Sequence, residues 1–224
     1  MDDYIAFEQI PFGSNDFADN PESRCPCVLL LDTSYSMSGA PIQQLNQGVQ
    51  TLKEELRGDA LASKRVELAM ITFGPTKLEQ DFTTVNHFYP RDLVADGDTP
   101  MGSAIELAVD LVNRRKQVYK ENGVGYYKPW IILITDGAPT DDVANAARLI
   151  KEGETRNSFA FFAIGVENAN MAALSQISKR APLKLRGLMF REFFMWLSAS
   201  MKMVSSKNPG SAINLLPPSG WAEL

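Results

Sequence analysis

Val28-Leu29-Leu30-Leu31-Asp32-Thr33-Ser34-Tyr35-Ser36 is the stretch on which the fold turns. Four apolar residues in a row, with no polar alternation, suit a strand covered on both faces, as in the centre of a parallel sheet. The run stops at an aspartate followed by hydroxyl side chains, so polar chemistry begins where the strand ends. Residues 66–73 form a second such strand. Residues 130–134 form a third, closing on Thr135-Asp136-Gly137, and residues 159–166 a fourth. Residues 77–82 alternate polar and apolar and suit an antiparallel edge partner of the second strand.

Helical spacing fills the intervals. Pro41 opens a stretch with Ile42, Leu45, Val49, Leu52 and Leu56 along one side, ending before Gly58. Residues 102–119 carry Ile105, Ala108, Val109, Leu111 and Val112 on one side. Residues 141–154 begin with acids, which favour a helix start, and carry Val143, Ala146, Ala147 and Ile150. Residues 171–178 and 191–204 add two more. Strands alternating with helices predict an α/β fold: a doubly wound, mostly parallel central sheet with one antiparallel edge strand and helices on both faces. The organisation expected is an acidic N-terminal arm (1–24), one domain (25–205) and an extended C-terminal tail (206–224) containing Pro209, Pro217 and Pro218.

Length and charge fit one domain. The chain has 224 residues, 45% hydrophobic and 22% charged, enough for one sizeable core. The net charge of −5 resides in residues 1–24, with six acids and one base; the other 200 residues hold 21 of each sign. No basic stripe is available to neutralise phosphates, so nucleic-acid binding is not expected. The longest apolar run, about eight residues, falls far short of the ~20 needed to span a bilayer, and no secretory signal is visible. A cytoplasmic protein without membrane contact is expected. Cys25 and Cys27 flank Pro26; a disulfide across so short a span would be strained. With His87 the only histidine, a zinc site of about four ligands is not expected. Both cysteines read as buried strand residues.

In a doubly wound sheet, ligands bind at the carboxyl ends of the strands, where the winding reverses. Three pieces of sequence meet that edge: Asp32-Thr33-Ser34-Tyr35-Ser36, Gly97-Asp98-Thr99-Pro100-Met101-Gly102 and Thr135-Asp136-Gly137. They offer two carboxylates (Asp32, Asp136) and three hydroxyls (Ser34, Ser36, Thr99). An oxygen-only donor set selects a hard cation, Mg²⁺ or Mn²⁺ ahead of Zn²⁺. Two carboxylates balance one divalent ion, and weakly donating hydroxyls leave it electrophilic. An octahedral ion so held keeps a position for an outside oxygen, best supplied by a carboxylate of another protein.

These segments resemble the metal-ion-dependent adhesion site of von Willebrand factor A domains, over about residues 25–205. The resemblance implies metal ligation by Asp32, Ser34, Ser36, Thr99 and Asp136. The residue between the two serines is usually glycine in that family; here Tyr35 adds bulk and a phenol beside the site. Cys25-Pro-Cys-Val-Leu-Leu-Leu-Asp, Thr72-Phe-Gly-Pro, Lys128-Pro-Trp, Thr135-Asp-Gly-Ala-Pro-Thr-Asp and Phe193-Phe194-x-Trp196-Leu-Ser are similar to the bacterial tellurite-resistance-associated subgroup. That similarity implies an intracellular stress-response protein without catalytic activity, with a kinase or phosphatase as partner.

Two other readings stay open. One is a phosphohydrolase using Asp32 as nucleophile, although the second aspartate such enzymes carry two residues on is here Ser34. The other is a scaffold acting through the acidic arm. No serine–histidine pair and no glycine-rich phosphate loop ending in Lys-Ser/Thr is present, so catalysis is not expected.

Overall fold

From Cys25 onward the chain alternates strands and helices in the computed structural model, which describes residues 17, 19–210, 216–218 and 220–223. The acidic arm, as far as Asp16, lies outside the described residues. The strands are β1 (Cys25–Asp32), β2 (Val66–Phe73), β3 (Lys77–Thr84), β4 (Trp130–Thr135), β5 (Ala160–Gly165), β6 (Leu183–Leu185) and β7 (Ala222–Glu223). The helices are α1 (Ala40–Arg57), α2 (Ala62–Arg65), α3 (Met101–Glu121), α4 (Ala144–Thr155), α5 (Met171–Ile177) and α6 (Phe190–Ser205).

One sheet runs β3-β2-β1-β4-β5-β6-β7. β1 pairs in parallel with both β2 and β4, and β4 with β5. The expected antiparallel edge is β3 against β2. A second antiparallel edge, β7 against β6, was not foreseen.

Alternation along β1 distributes its side chains between two cores. Cys25, Cys27, Leu29 and Leu31 face α1 and α6, while Val28 and Leu30 face α3, α4 and α5. All are fully buried, and each buried leucine contributes about 1.5–3 kcal/mol. The continuous apolar run is thereby explained: a strand with helices over both faces has no polar side. Both cysteines are free and buried, and burial pushes the Cys25 thiol up to about 12.

The amino-terminal edge is held by a buried ion cluster. Glu67 on β2 accepts from Arg24 Nε (3.1 Å), Arg115 Nε (2.8 Å) and Nη2 (2.7 Å), and Tyr119 Oη (2.5 Å). Four hydrogen bonds from three side chains around one carboxylate offset the cost of burying it.

The tail departs from the surface path expected of it. Trp221 and Ala222 are about 1% exposed, and Trp221 packs 5.0 Å from Phe193 and 5.1 Å from Trp196. Pro217 and Pro218 rule out a helix there, but they do not stop the chain from returning to the sheet edge.

Candidate functional site

The winding reverses between β1 and β4: the chain passes from β1 outward to β2 and β3, then returns to the other side of β1. Loops leaving the carboxyl ends of β1 and β4 therefore diverge and open a crevice. Asp32 is the last residue of β1 and Asp136 the first after β4. The 3₁₀ turn Tyr35–Met37 follows β1 and carries Ser36, with Ser34 just before it in extended backbone. Thr99 arrives from the loop that precedes α3.

All five candidate residues meet here. Ser34 Oγ and Ser36 Oγ are 3.0 Å apart, and Ser36 Oγ donates to Asp136 Oδ1 at 2.7 Å. Asp32 Oδ1 accepts the Ser34 N–H at 2.8 Å. A Cβ added to Gly137 would lie 3.3 Å from Thr99 Oγ1 and 3.9 Å from Asp32 Oδ2. Gly137 thus leaves open a small space onto which oxygens of Thr99 and Asp32 both abut. Asp32, Ser34, Thr99 and Asp136 are buried, while Ser36 is exposed at the mouth.

The electrostatics are strained in one direction. Burial pushes the Asp32 carboxyl up, hydrogen bonds from Ser34 and Thr135 oppose this, and the charge of Asp136 adds to the rise. Asp136 is likewise raised by burial against its bond from Ser36. Among the described residues neither carboxylate has an ion-pair partner within 4 Å. Two buried carboxylates close together without a cation are costly.

The loops are fixed by backbone bonds. Asp96 N donates to Thr33 O at 2.7 Å and Tyr35 N to Gly97 O at 3.0 Å. Gly74, after β2, makes this possible, since a Cβ there would fall 2.6 Å from the Thr33 carbonyl and 2.5 Å from Asp96 O. Tyr35 fits the 3₁₀ turn without a positive φ, so the usual glycine is not needed for conformation. Its side chain is 65% exposed, and the nearby Asp96 pushes its phenol up from the ordinary value.

Three contributors lie outside the five expected ligands. Thr135 Oγ1 donates to Asp32 Oδ2 at 2.5 Å and accepts from Gly137 N at 3.1 Å, tying β1 to β4 through the site. Asp141 was expected at the start of the following helix. It instead accepts from Gly102 N (2.8 Å), Ser103 N (2.8 Å) and Ser103 Oγ (2.7 Å), capping α3 just after Thr99. Thr140 Oγ1 accepts from Thr99 N at 3.1 Å. α4 itself begins later, at Ala144.

Chemically, the arrangement concentrates oxygen donors and negative charge at one point. Among the described residues no three His, Cys, Asp or Glu side chains cluster as metal ligands do. Any cation here would rest on two carboxylates plus hydroxyls. Such a set suits a small hard ion that retains water.

A family model described as the von Willebrand factor type A domain matches residues 27–191. The human collagen alpha-5(VI) chain is 23% identical over 162 residues, covering 70% of this chain but 6% of the collagen. Among solved structures, the open conformation of the pilus adhesin SpaC from Lactobacillus rhamnosus GG has a TM-score of 0.64 at 13% identity, covering 80% of this chain and 30% of that one. Proximal thread matrix protein 1 from the mussel byssus gives 0.56 at 16% identity, covering 80% and 48%. The chain thus spans less than half the length of these relatives, and the two structures share its fold. No helix among the described residues is long and apolar enough to cross a membrane. With the family model spanning β1 to the start of α6, the chain belongs to the von Willebrand factor type A domain family.

Proposed function

We propose that the chain is a protein-binding module whose contact is completed by Mg²⁺ or Mn²⁺ held by Asp32, Ser34, Ser36, Thr99 and Asp136. One observation carries the reading: five side-chain oxygens from three distant stretches converge at the winding reversal, including two carboxylates with no neighbouring cation among the described residues. The ion supplies a Lewis-acidic position for a carboxylate of the partner. The chain's own residues do the rest. Thr135 orients Asp32, Ser36 orients Asp136, and Asp141 and Thr140 fix the segment bearing Thr99. Gly137 keeps the space between them open.

Resemblance to the tellurite-resistance-associated subgroup supports a bacterial, cytoplasmic stress-response role for a domain of residues 25–205, with a kinase or phosphatase as partner. The phosphohydrolase reading is disfavoured by Asp32 itself. It is fully buried, which keeps it from a phosphate ester, and the position two residues on, where such enzymes carry a second aspartate, is Ser34. The arm-scaffold reading would make partner affinity depend on residues 1–22 and not on metal.

Calorimetric titration with Mn²⁺ tests the proposal. Saturable binding at one site is expected, lost in Asp32→Ala with the cooperative unfolding transition retained. Unchanged affinity in the variant would overturn the site.

A further inference from the structure

At the opposite end of β4 and β5 lies a cavity of about 590 Å³, six residues or roughly 20 Å along the strands from Asp136. Its walls are basic. Lys116 reaches in from α3, Lys128 from the approach to β4, Arg156 from the end of α4 and Arg180 from the approach to β6, and among the described residues no acidic one lines it. Lys116 Nζ donates to Ser158 Oγ at 2.6 Å and Lys128 Nζ to Asn157 Oδ1 at 3.0 Å, and neither has an ion-pair partner among the described residues. Arg156 is 3.7 Å from Glu152, and Arg180 2.8 Å from Glu154. Burial, then Lys120, pulls the Lys116 ammonium down from its usual value, a penalty that a bound anion would relieve.

The floor is aromatic. Phe162 and Trp130 sit 5.6 Å apart, and the Arg180 guanidinium lies 5.2 Å over the Phe162 ring. Trp130 is 1% exposed, and its Nε1 has no hydrogen-bond partner among the described residues.

We infer that this cavity binds a free nucleotide, with the base against Phe162 and the Arg180 plane and the phosphates among Lys116, Lys128 and Arg156. The volume falls within the range of small-ligand sites, ~300–1,000 Å³, and exceeds what inorganic phosphate needs. Planar guanidinium and ring surfaces recognise a base, whereas cations alone would serve any anion. A nucleic-acid strand is disfavoured, because four basic residues around one cavity make no extended stripe in a chain of net charge −5.

The test is calorimetry on the full chain in EDTA, which silences any divalent ion at the far edge, using ADP, GDP, UDP, adenosine and inorganic phosphate as probes. Saturable binding of at least one nucleoside diphosphate is expected, with adenosine and phosphate each at least tenfold weaker. The double variant Lys128→Glu/Arg156→Glu alters partly or fully exposed side chains. It should weaken that nucleotide at least tenfold while leaving the thermal midpoint and Mn²⁺ titration unchanged. No diphosphate binding at millimolar concentration would overturn the proposal. So would phosphate binding as tightly as the nucleotide, or affinity indifferent to the double variant.

Discussion

At the scale of single residues, the site depends on groups that are small or that point inward. Gly137 is the most informative. Its missing Cβ would stand 3.3 Å from Thr99 Oγ1, closer than such contacts tolerate without movement. Gly137→Ala is expected to weaken Mn²⁺ binding about tenfold, as loss of supporting geometry does at metal sites. Its cost in stability, read by urea unfolding, should stay below about 1.5 kcal/mol. Unchanged Mn²⁺ affinity would show that Thr99 does not share the space beside Gly137. Asp32, Ser34, Ser36, Thr99 and Asp136 were legible in the sequence because each stands where an apolar or helical pattern begins or ends. Thr135 was not, since it reads as the last β-branched residue of a strand. Its bond to Asp32 spans 103 residues and appears only once β1 and β4 are known to be neighbours.

At the scale of elements, the placement of α3 decides where Thr99 stands, and Asp141 holds its first turn. Burial alone would raise the Asp141 carboxyl. The bonds from Ser103 N, Gly102 N and Ser103 Oγ prevail and hold it below the ordinary carboxylate value. A carboxyl depressed in the folded state stabilises above the unfolded value, about 3.9, and this contribution fades as pH falls through the lower folded value. Asp141→Ala is therefore expected to cost about 0.5–1 kcal/mol at pH 7, a capping contribution reduced by solvent screening. The gap from the native protein should narrow as pH drops below ~4. A gap independent of pH would contradict a charged cap. The sequence placed Asp141 at the head of the next helix because acids favour any helix start. Local pattern could not reveal that Asp141 serves the helix starting 40 residues earlier.

For the molecule as a whole, the central strands and their winding followed from apolar runs ending in polar turns, whereas the second edge did not. β6 and β7 have three and two residues, too short for period-two alternation to register. What holds that edge is Trp221, wedged between Phe193 and Trp196, while Trp196 Nε1 donates to Leu216 O at 2.9 Å. Trp221→Ala should cost about 3–5 kcal/mol in urea unfolding yet leave Mn²⁺ affinity intact, since the tail lies away from the β1–β4 crevice. A loss under 1 kcal/mol would mean that the tail merely rests on α6. The two ends of the sheet differ in chemistry: oxygen donors at the carboxyl edge, and cations and rings at the amino edge. Anomalous diffraction from crystals saturated with Mn²⁺ bears most directly on the carboxyl edge. A single peak is expected within bonding distance of Ser34 Oγ and Ser36 Oγ, enclosed by Asp32, Thr99 and Asp136. Crystals showing those five side chains in place and no manganese among them would contradict the metal-dependent module.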